Sequence, residues 1–201
     1  CADMDNQLWQ FDNQGNHKVI YEDTLNAHNG PNDLWIDAKN GIYFTDPLYV
    51  RNYWKRDSIS KRNGKNVYYL SSDRKLIITV DDNLVQPNGI IGTPDGKKLY
   101  VADIGNSKTY VYDIQKDATL TNRKIFCEMG SDGMTVDNQG NVYLTGNGVH
   151  VFDKNGKKIA YIPVPESWTA NVCFGGKNLD ILFITAMDSV YGLQMNVKGV
   201  R

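Results

Sequence analysis

The sequence has few of the residues that would indicate a disulfide-rich, zinc-binding or membrane-spanning protein. Its three cysteines, Cys1, Cys127 and Cys173, are far apart and form no CxxC pair. They therefore indicate neither a disulfide framework nor a zinc site. Cys127 and Cys173 fall in apolar segments, where we expect both to be small buried hydrophobic residues. No apolar run is long enough for a helix that crosses a bilayer.

The chain also lacks an excess of charge of either sign. It has 22 Lys and Arg against 23 Asp and Glu, for a formal net charge of −1. This balance gives no reason to expect nucleic acid or an anionic membrane as a partner. Its 201 residues, 41% of them hydrophobic, suffice for a single domain over residues 1–201. The compartment, whether cytoplasmic or periplasmic and secreted, is left open by these features.

What the sequence does contain is one pattern repeated four times. Each copy has a polar loop, a short apolar strand, a glycine-containing turn and a second strand. The copies open at Asn32, Asn88, Asp132 and Asn171, which are separated by 56, 44 and 39 residues. A period of about 40 to 50 residues with several short strands per unit is typical of the blades of a β-propeller.

The strand patterns predict an all-β protein, because no helical periodicity is sustained anywhere. We predict 17 strands, grouped as two, four, four, four and three over residues 7–21, 34–80, 89–127, 133–163 and 171–194. A closed ring of six four-stranded blades has about 24 strands. We therefore expect a six-bladed propeller whose N-terminal portion, about one and a half blades, lies outside this chain. Because an open ring leaves unpaired strand edges, residues not in this chain should supply the remaining strands.

Propeller blades surround a central channel with their innermost strands. The residues that open these strands should therefore meet at the mouth of the channel, which predicts a binding site there. Each of the four is also a common turn former, so any one alone has a structural explanation. Other acidic residues precede glycine turns and are predicted to be structural, namely Asp37, Asp95, Asp137 and Asp153.

These motifs resemble those of the gluconolactonase, regucalcin (SMP-30) and luciferin-regenerating enzyme family of six-bladed propellers. The resemblance rests on Pro31-Asn32-Asp33, Pro87-Asn88-Gly89, Asp132-Gly133-Met134 and Phe174-Gly175-Gly176, and it covers essentially the whole chain. Regucalcin-like members carry an arginine two residues before the asparagine of the first loop, where this chain has Gly30. The resemblance therefore favours a gluconolactonase-like member.

The resemblance implies a divalent cation, usually calcium, at the channel mouth. In the family the ion is held by a glutamate of the first blade, the asparagine of the Pro-Asn-Gly loop and the aspartate of the Asp-Gly-Met loop. Asn88 and Asp132 are the corresponding metal ligands here, while the glutamate has no counterpart in this chain. Asn32 falls in the family's substrate pocket, and we expect Asp33 and Asn171 to bind substrate with it.

The residue types fit this chemistry, because amide and carboxylate oxygens are the ligands that calcium prefers. A bound calcium ion can polarise a lactone carbonyl and stabilise the developing oxyanion. Asp132 is the expected general base or nucleophile. The leading hypothesis is thus a calcium-dependent hydrolase that opens a sugar-type or related lactone. The alternatives are a phosphotriesterase-like hydrolase on the same metal site and a non-catalytic propeller that binds a ligand or partner.

Three further features have open interpretations. The insertion over residues 47–66 is basic and aromatic, and is either a solvated loop or a lid over the site. Asp46 either supports the site or caps a turn. We expect His28 to be a solvated loop residue, although it could line the pocket.

Overall fold

The computed structural model describes residues 7–22, 28–50, 52 and 64–200. Within these residues the fold is all-β, with 17 strands in five antiparallel sheets and one short 3-10 helix at Ile104–Asn106. The sheets contain two, four, four, four and three strands in chain order, which confirms the predicted grouping. None of the described segments forms a helix with the length and apolarity needed to traverse a membrane.

We name the sheets A to E in chain order. Each is built from consecutive strands joined by turns, so every strand pairs with its neighbour in sequence. The strands are, in sheet A, β1 (Gln7–Phe11) and β2 (His17–Glu22); in sheet B, β3 (Leu34–Ile36), β4 (Ile42–Asp46), β5 (Asn66–Leu70) and β6 (Ile77–Asp81); in sheet C, β7 (Pro87–Gly92), β8 (Lys98–Asp103), β9 (Lys108–Ile114) and β10 (Leu120–Cys127); in sheet D, β11 (Met134–Val136), β12 (Val142–Gly146), β13 (Gly148–Phe152) and β14 (Lys158–Ile162); and in sheet E, β15 (Thr169–Gly175), β16 (Ile181–Ala186) and β17 (Ser189–Gln194).

Aspartates close the turns between strands, as the sequence predicts. Asp37 Oδ1 accepts hydrogen bonds from the backbone N–H groups of Lys39 and Gly41, both at 2.8 Å. In sheet D, Asp137 Oδ1 accepts the equivalent two hydrogen bonds from the backbone N–H groups of Gln139 and Asn141. A short carboxylate that pairs with nearby N–H groups stabilises a tight turn without help from the rest of the fold. The structural interpretation of these two aspartates is confirmed.

The core lies between neighbouring sheets. One cluster joins sheets B and C through side chains such as Tyr43 and Val101, and another joins C and D through Tyr100 and Leu144. Equivalent clusters join D to E and A to B. Sheets B, C and D therefore each bury one face against the preceding sheet and the other against the following one, which is the packing of propeller blades.

The innermost strands contact one another in the order β3, β7, β11 and β15. Hydrogen bonds between blades reinforce these contacts. Thr45 Oγ1 of sheet B donates to the carbonyl of Asn88 in sheet C at 2.8 Å, and Thr145 Oγ1 of sheet D donates to the carbonyl of Ala170 in sheet E at 3.1 Å. Sheets B to E are thus four blades of a propeller-like fold, with their inner strands around a common axis.

Sheet E has no sheet on its outer face among the described residues. Cys173, Phe183 and Val190 lie on this face and are exposed, Val190 by 69%. The expectation that Cys173 is buried is therefore wrong, whereas Cys127 is buried as predicted. Apolar residues on both faces of a strand predict that both faces of its sheet are packed against other sheets. The sequence of that strand does not show whether the second packing sheet belongs to the same chain.

Candidate functional site

Strand pairing shows which residues stand at equivalent heights at the openings of the four inner strands. One paired residue of each inner strand is aligned with that of the others: Leu34 pairs with Phe44, Ile90 with Val101, Met134 with Leu144, and Val172 with Ile184. One residue before this aligned position stand Asp33, Gly89, Gly133 and Asn171. Two residues before it stand Asn32, Asn88, Asp132 and Ala170.

This alignment corrects the predicted position of Asn171. It is equivalent to Asp33, whereas Asn32, Asn88 and Asp132 share a position that Ala170 occupies in sheet E. Two matching hydrogen bonds support the equivalence: Asp33 Oδ1 accepts from Leu34 N, and Asn171 Oδ1 accepts from Val172 N. The sequence places a polar residue near this point in every blade, but a shift of one residue moves a side chain to the other face of its strand.

The opening segments of sheets C and D are in direct contact. Gly89 N donates to the carbonyl of Ser131 at 3.2 Å. A Cβ atom on Gly89 would lie only 3.0 Å from the carbonyl oxygen of Asp132. Because the two backbones approach this closely, the adjacent residues Asn88 and Asp132 are neighbours at the mouth. The expected proximity of these two segments is thus present in the structure.

Asn88 is the most enclosed of the predicted site residues, with 2% of its surface exposed. Its side-chain Nδ2 donates to Tyr49 Oη at 2.8 Å, while its backbone carbonyl oxygen accepts from Thr45 Oγ1. Its side-chain oxygen Oδ1 is buried and has no hydrogen-bond partner among the residues that the structure describes. A buried acceptor without a partner is destabilising by about 1–3 kcal/mol, so this oxygen is suited to a ligand such as a cation.

Asp132 is half-buried, and it lies next to the segment that carries Asn88. Its Oδ2 accepts a hydrogen bond from the indole Nε1 of Trp168 at 2.9 Å. Its Oδ1 accepts none from the part of the chain that the structure describes. One carboxylate oxygen is therefore held in place and the other is available at the mouth.

Asp33 links sheets B and C at the same end of the channel. Its Oδ2 accepts from Ile90 N at 3.1 Å and its Oδ1 from Leu34 N at 2.9 Å. Burial raises the pKa of Asp33 to about 7; the two N–H donors oppose this rise, and the negative charge of Asp132 adds to it. Asp33 and Asp132 are therefore close enough to influence each other electrostatically.

Asn32 has an exposed side chain, and its backbone N–H donates to the carbonyl of Thr45 at 2.9 Å. This bond anchors the main chain and leaves the amide facing solvent. Asn171 is exposed as well, although its amide lies against Gly133. The structure thus separates the buried Asn88 and the half-buried Asp132 from the exposed amides of Asn32 and Asn171.

Two buried aspartates hold the loops that carry these residues. Asp46 accepts hydrogen bonds from the N–H groups of Asn29 and Gly30, and Asp103 accepts from those of Val85 and Gln86. Both aspartates end the second strand of their blade and are fully buried. Asp46 therefore supports the loop before Asn32, which decides between the two interpretations left open by the sequence.

His28 is not a solvated loop residue, so that expectation is wrong. It is 2% exposed, and its Nδ1 lies 3.2 Å from Asp46 Oδ2. Its ring packs edge-on against Phe44 and Tyr68. The imidazole belongs to the support behind the first loop, and only the tertiary fold brings Asp46 to it across 18 residues of sequence.

The insertion after β4 reaches the mouth at both of its described ends. At one end, Tyr49 contacts Asn88 and the carbonyl of Leu48 accepts from Gln86 Nε2 at 3.2 Å. At the other end, the ammonium group of Lys65 donates to Gln86 Oε1. Residues 51 and 53–63 lie outside the described part of the chain, and the lid interpretation falls on them. It stays a prediction.

The described residues contain no cluster of three or more His, Cys, Asp or Glu side chains suited to a metal ion. The donors at the mouth are instead one buried amide oxygen and one carboxylate, of Asn88 and Asp132. Such oxygens suit a hard cation such as calcium, which takes six to eight oxygen ligands. The residues present therefore fit a partial calcium site.

Comparison with known proteins identifies the family. The sequence profile of the SMP-30/gluconolactonase/LRE-like region matches residues 2–188. The chain belongs to this family. This SMP-30/gluconolactonase/LRE-like chain is 31% identical over 186 residues to the gluconolactonase of Zymomonas mobilis, covering 85% of this chain and 52% of the relative.

Solved structures agree with this assignment. A gluconolactonase from Xanthomonas campestris superposes with a TM-score of 0.82 at 27% identity, over 94% of this chain and 65% of that one. A structural-genomics structure described as a candidate gluconolactonase superposes with a TM-score of 0.88 at 25% identity, over 98% of this chain and 70% of that one. The chain spans about half the length of the curated relatives it matches.

Two residues at the mouth were not found from the sequence. The sequence predicts Tyr49 only as part of the insertion after β4 and predicts no role for Trp168. Both are aromatic residues among polar residues of the sequence, close to one of the four repeated motifs. This pattern only weakly indicates a functional residue. Their importance becomes visible only because each makes a hydrogen bond to a predicted metal ligand.

Proposed function

We propose that the protein containing this chain is a hydrolase that opens a sugar-type or related lactone. The observation that carries the proposal is the buried Oδ1 of Asn88, which has no partner among the described residues and lies in a segment whose backbone contacts that of Asp132. A purely structural loop has no need of a buried acceptor without a donor. The similarity to the Zymomonas mobilis gluconolactonase supports lactones as the substrate class.

We further propose that the complete protein is a six-bladed propeller. Sheet A supplies two strands and covers one face of sheet B, while the outer face of sheet E exposes apolar side chains such as Phe183 and Val190. These are the places where further strands would continue the ring. Those further strands would also supply the additional oxygen ligand, a glutamate, that a calcium site needs.

In this proposal Asn88 Oδ1 and the Asp132 carboxylate would hold the cation, and calcium fits because both donors are oxygens. When bound there, calcium supplies polarisation of the lactone carbonyl and stabilisation of the charge that develops on its oxygen. The hydrogen bond from the Asn88 amide to Tyr49 holds the side chain whose oxygen would bind the ion.

The remaining residues act on substrate and water. Asn32 and Asn171 present accessible amide groups that can hydrogen-bond to the ring hydroxyls of a sugar lactone, with Asp33 between the two blades beside them. Asp132 serves as base or nucleophile, and Oδ1 is the oxygen that accepts no hydrogen bond from the described part of the chain. As the base, it accepts a proton from the attacking water. The water oxygen bonds to the carbonyl carbon, the ring C–O bond breaks as protonated Asp132 returns the proton to the ring oxygen, and a hydroxy acid leaves.

The test uses purified full-length protein with calcium or with EDTA. We expect hydrolysis of aldonolactones with calcium, loss of activity in EDTA, and loss of at least about 100-fold in kcat for Asp132→Asn. Hydrolysis of phosphotriesters but not of lactones would favour the phosphotriesterase-like alternative. Calcium binding without turnover of either substrate would favour a non-catalytic propeller.

A further inference from the structure

Each proposed cation ligand is contacted by one aromatic side chain from a different sheet or loop. Tyr49, in the segment after β4, places its hydroxyl 2.8 Å from the amide Nδ2 of Asn88 in β7. Trp168, immediately before β15, places its indole Nε1 2.9 Å from Oδ2 of Asp132 before β11. Neither aromatic residue belongs to the blade of the residue that it contacts.

The consequence for Asn88 follows from the two-sided chemistry of an amide. Its Nδ2 end is a donor and its Oδ1 end is an acceptor, so a rotation by half a turn exchanges the two. In the observed orientation the Tyr49 hydroxyl accepts from Nδ2 and holds that end of the amide in place. Oδ1 is then the end without a partner, buried and available to a cation.

The consequence for Asp132 is similar. Trp168 has only one polar hydrogen, and its indole donates to Oδ2. Rotation of the carboxylate about its terminal bond would break this hydrogen bond. The indole therefore holds the carboxylate plane and leaves Oδ1 free for a cation or for substrate.

We propose that Tyr49 and Trp168 are positioning residues that hold the oxygens of Asn88 and Asp132 in the orientation required for a divalent cation. The inference rests on the proposed function, because it assumes that these two residues bind the ion. It assigns Tyr49 a role in the site that does not depend on a lid. Hydrogen-bond partners of metal ligands typically contribute 10- to 100-fold to metal affinity.

The test compares full-length variants by titration calorimetry with calcium and by thermal unfolding in EDTA. Tyr49→Phe and Trp168→Phe each remove one polar hydrogen-bonding group and keep an aromatic ring. We expect each to weaken the calcium Kd about 10-fold or more while the calcium-free Tm stays close to wild type. The matched control is Tyr112→Phe, which removes a hydroxyl bonded to Asp81 at 2.8 Å on outer strands, and should leave the calcium Kd unchanged.

A spectroscopic measurement separates positioning from a general effect on the fold. Terbium substitutes for calcium and luminesces when a nearby tryptophan absorbs light. Wild-type protein and Tyr112→Phe should sensitise bound terbium, Tyr49→Phe should do so only at higher terbium concentration, and Trp168→Phe should lose most of the signal. A Trp168→Phe variant with undiminished luminescence would place the ion elsewhere and overturn the assignment of Trp168.

Asn88→Ala belongs in the same series, because it distinguishes failure of this inference from failure of the proposed site. If Asn88→Ala abolishes calcium binding while Tyr49→Phe and Trp168→Phe bind with wild-type Kd, the ligands are correct and the positioning role is wrong. If Asn88→Ala also binds calcium normally, the site itself is wrong. A fall in the calcium-free Tm with unchanged Kd would assign the two aromatic residues to stability alone and contradict the proposal.

Discussion

The side chain of Asn171 lies directly over Gly133, so that a Cβ atom on Gly133 would be 2.3 Å from both Cγ and Oδ1 of Asn171. Oδ1 also accepts a hydrogen bond from Val172 N at 2.8 Å, which fixes the amide in this place. A glycine is therefore required where the inner strands of sheets D and E approach each other, next to Asp132.

We expect Gly133→Ala to destabilise the protein by about 1–3 kcal/mol, the usual range for overpacking. In an Asn171→Ala background the same substitution should cost much less, since the clashing amide is gone. Urea unfolding of the two single variants and the double variant measures the coupling, which should exceed about 1 kcal/mol. Additive effects within about 0.5 kcal/mol would show that the amide simply moves aside.

The two hydrogen bonds that the buried Asp103 carboxylate accepts from Val85 N and Gln86 N give a second prediction. Asp103→Asn keeps the shape of the side chain but replaces one acceptor oxygen by a donor, so that Val85 N or Gln86 N loses its partner. We expect a loss of about 1–3 kcal/mol in unfolding free energy. Asp95→Asn, in an exposed turn, is the control and should change stability by less than about 0.5 kcal/mol. Equal effects of the two substitutions would mean that these two hydrogen bonds contribute nothing special.

The raised pKa of Asp33 predicts how stability depends on pH. Because its folded-state pKa of about 7 is above its ordinary value of 3.8, the folded protein retains a proton in the interval between them. The unfolded chain has already lost that proton, so Asp33 makes stability fall as pH rises from about 4 to 7. The free energy of unfolding of wild type minus that of Asp33→Asn, measured in EDTA, should therefore decrease across this range. A flat or rising difference would contradict the raised pKa.

The roles of Asn32 and Asp132 should separate in a ligand-stabilisation experiment. A ligand that binds only the folded protein raises stability by RT ln(1 + [L]/Kd). Asn32→Ala should lose lactonase activity but keep most of the calcium-induced rise in Tm, because its exposed amide is assigned to substrate. Asp132→Asn should lose both, because the charge is removed. If Asn32→Ala loses the calcium effect and Asp132→Asn keeps it along with turnover, the two roles have been exchanged.

Local patterns predicted much of the fold. The alternation of apolar and polar residues and the aspartate-glycine turns indicate where strands begin and end, and both depend on neighbours in sequence. For this reason all five strand groups are confirmed, including the two-stranded first group and the three-stranded last group. The predicted site residues Asn32, Asn88 and Asp132 also occupy equivalent positions, because each follows the same motif.

Features that depend on distant contacts were predicted poorly. The position of Asn171 was wrong by one residue, because the register of β15 is set by its pairing with β16. His28 was expected in solvent, but the carboxylate of Asp46 and a surrounding aromatic cluster enclose it. Cys173 was expected in the core, but no described sheet covers its face.

The sequence by itself determined the all-β architecture, the strand grouping and the placement of one amide and one carboxylate near the starts of two inner strands, since these follow from local periodicity and turn chemistry. Only the tertiary structure decided that Asn88 Oδ1 is buried without a partner, that Tyr49 and Trp168 contact the two proposed ligands, and that Asp33 has a raised pKa. Burial and hydrogen bonding at the mouth depend on how separate blades pack together, and a single strand's sequence does not contain that information.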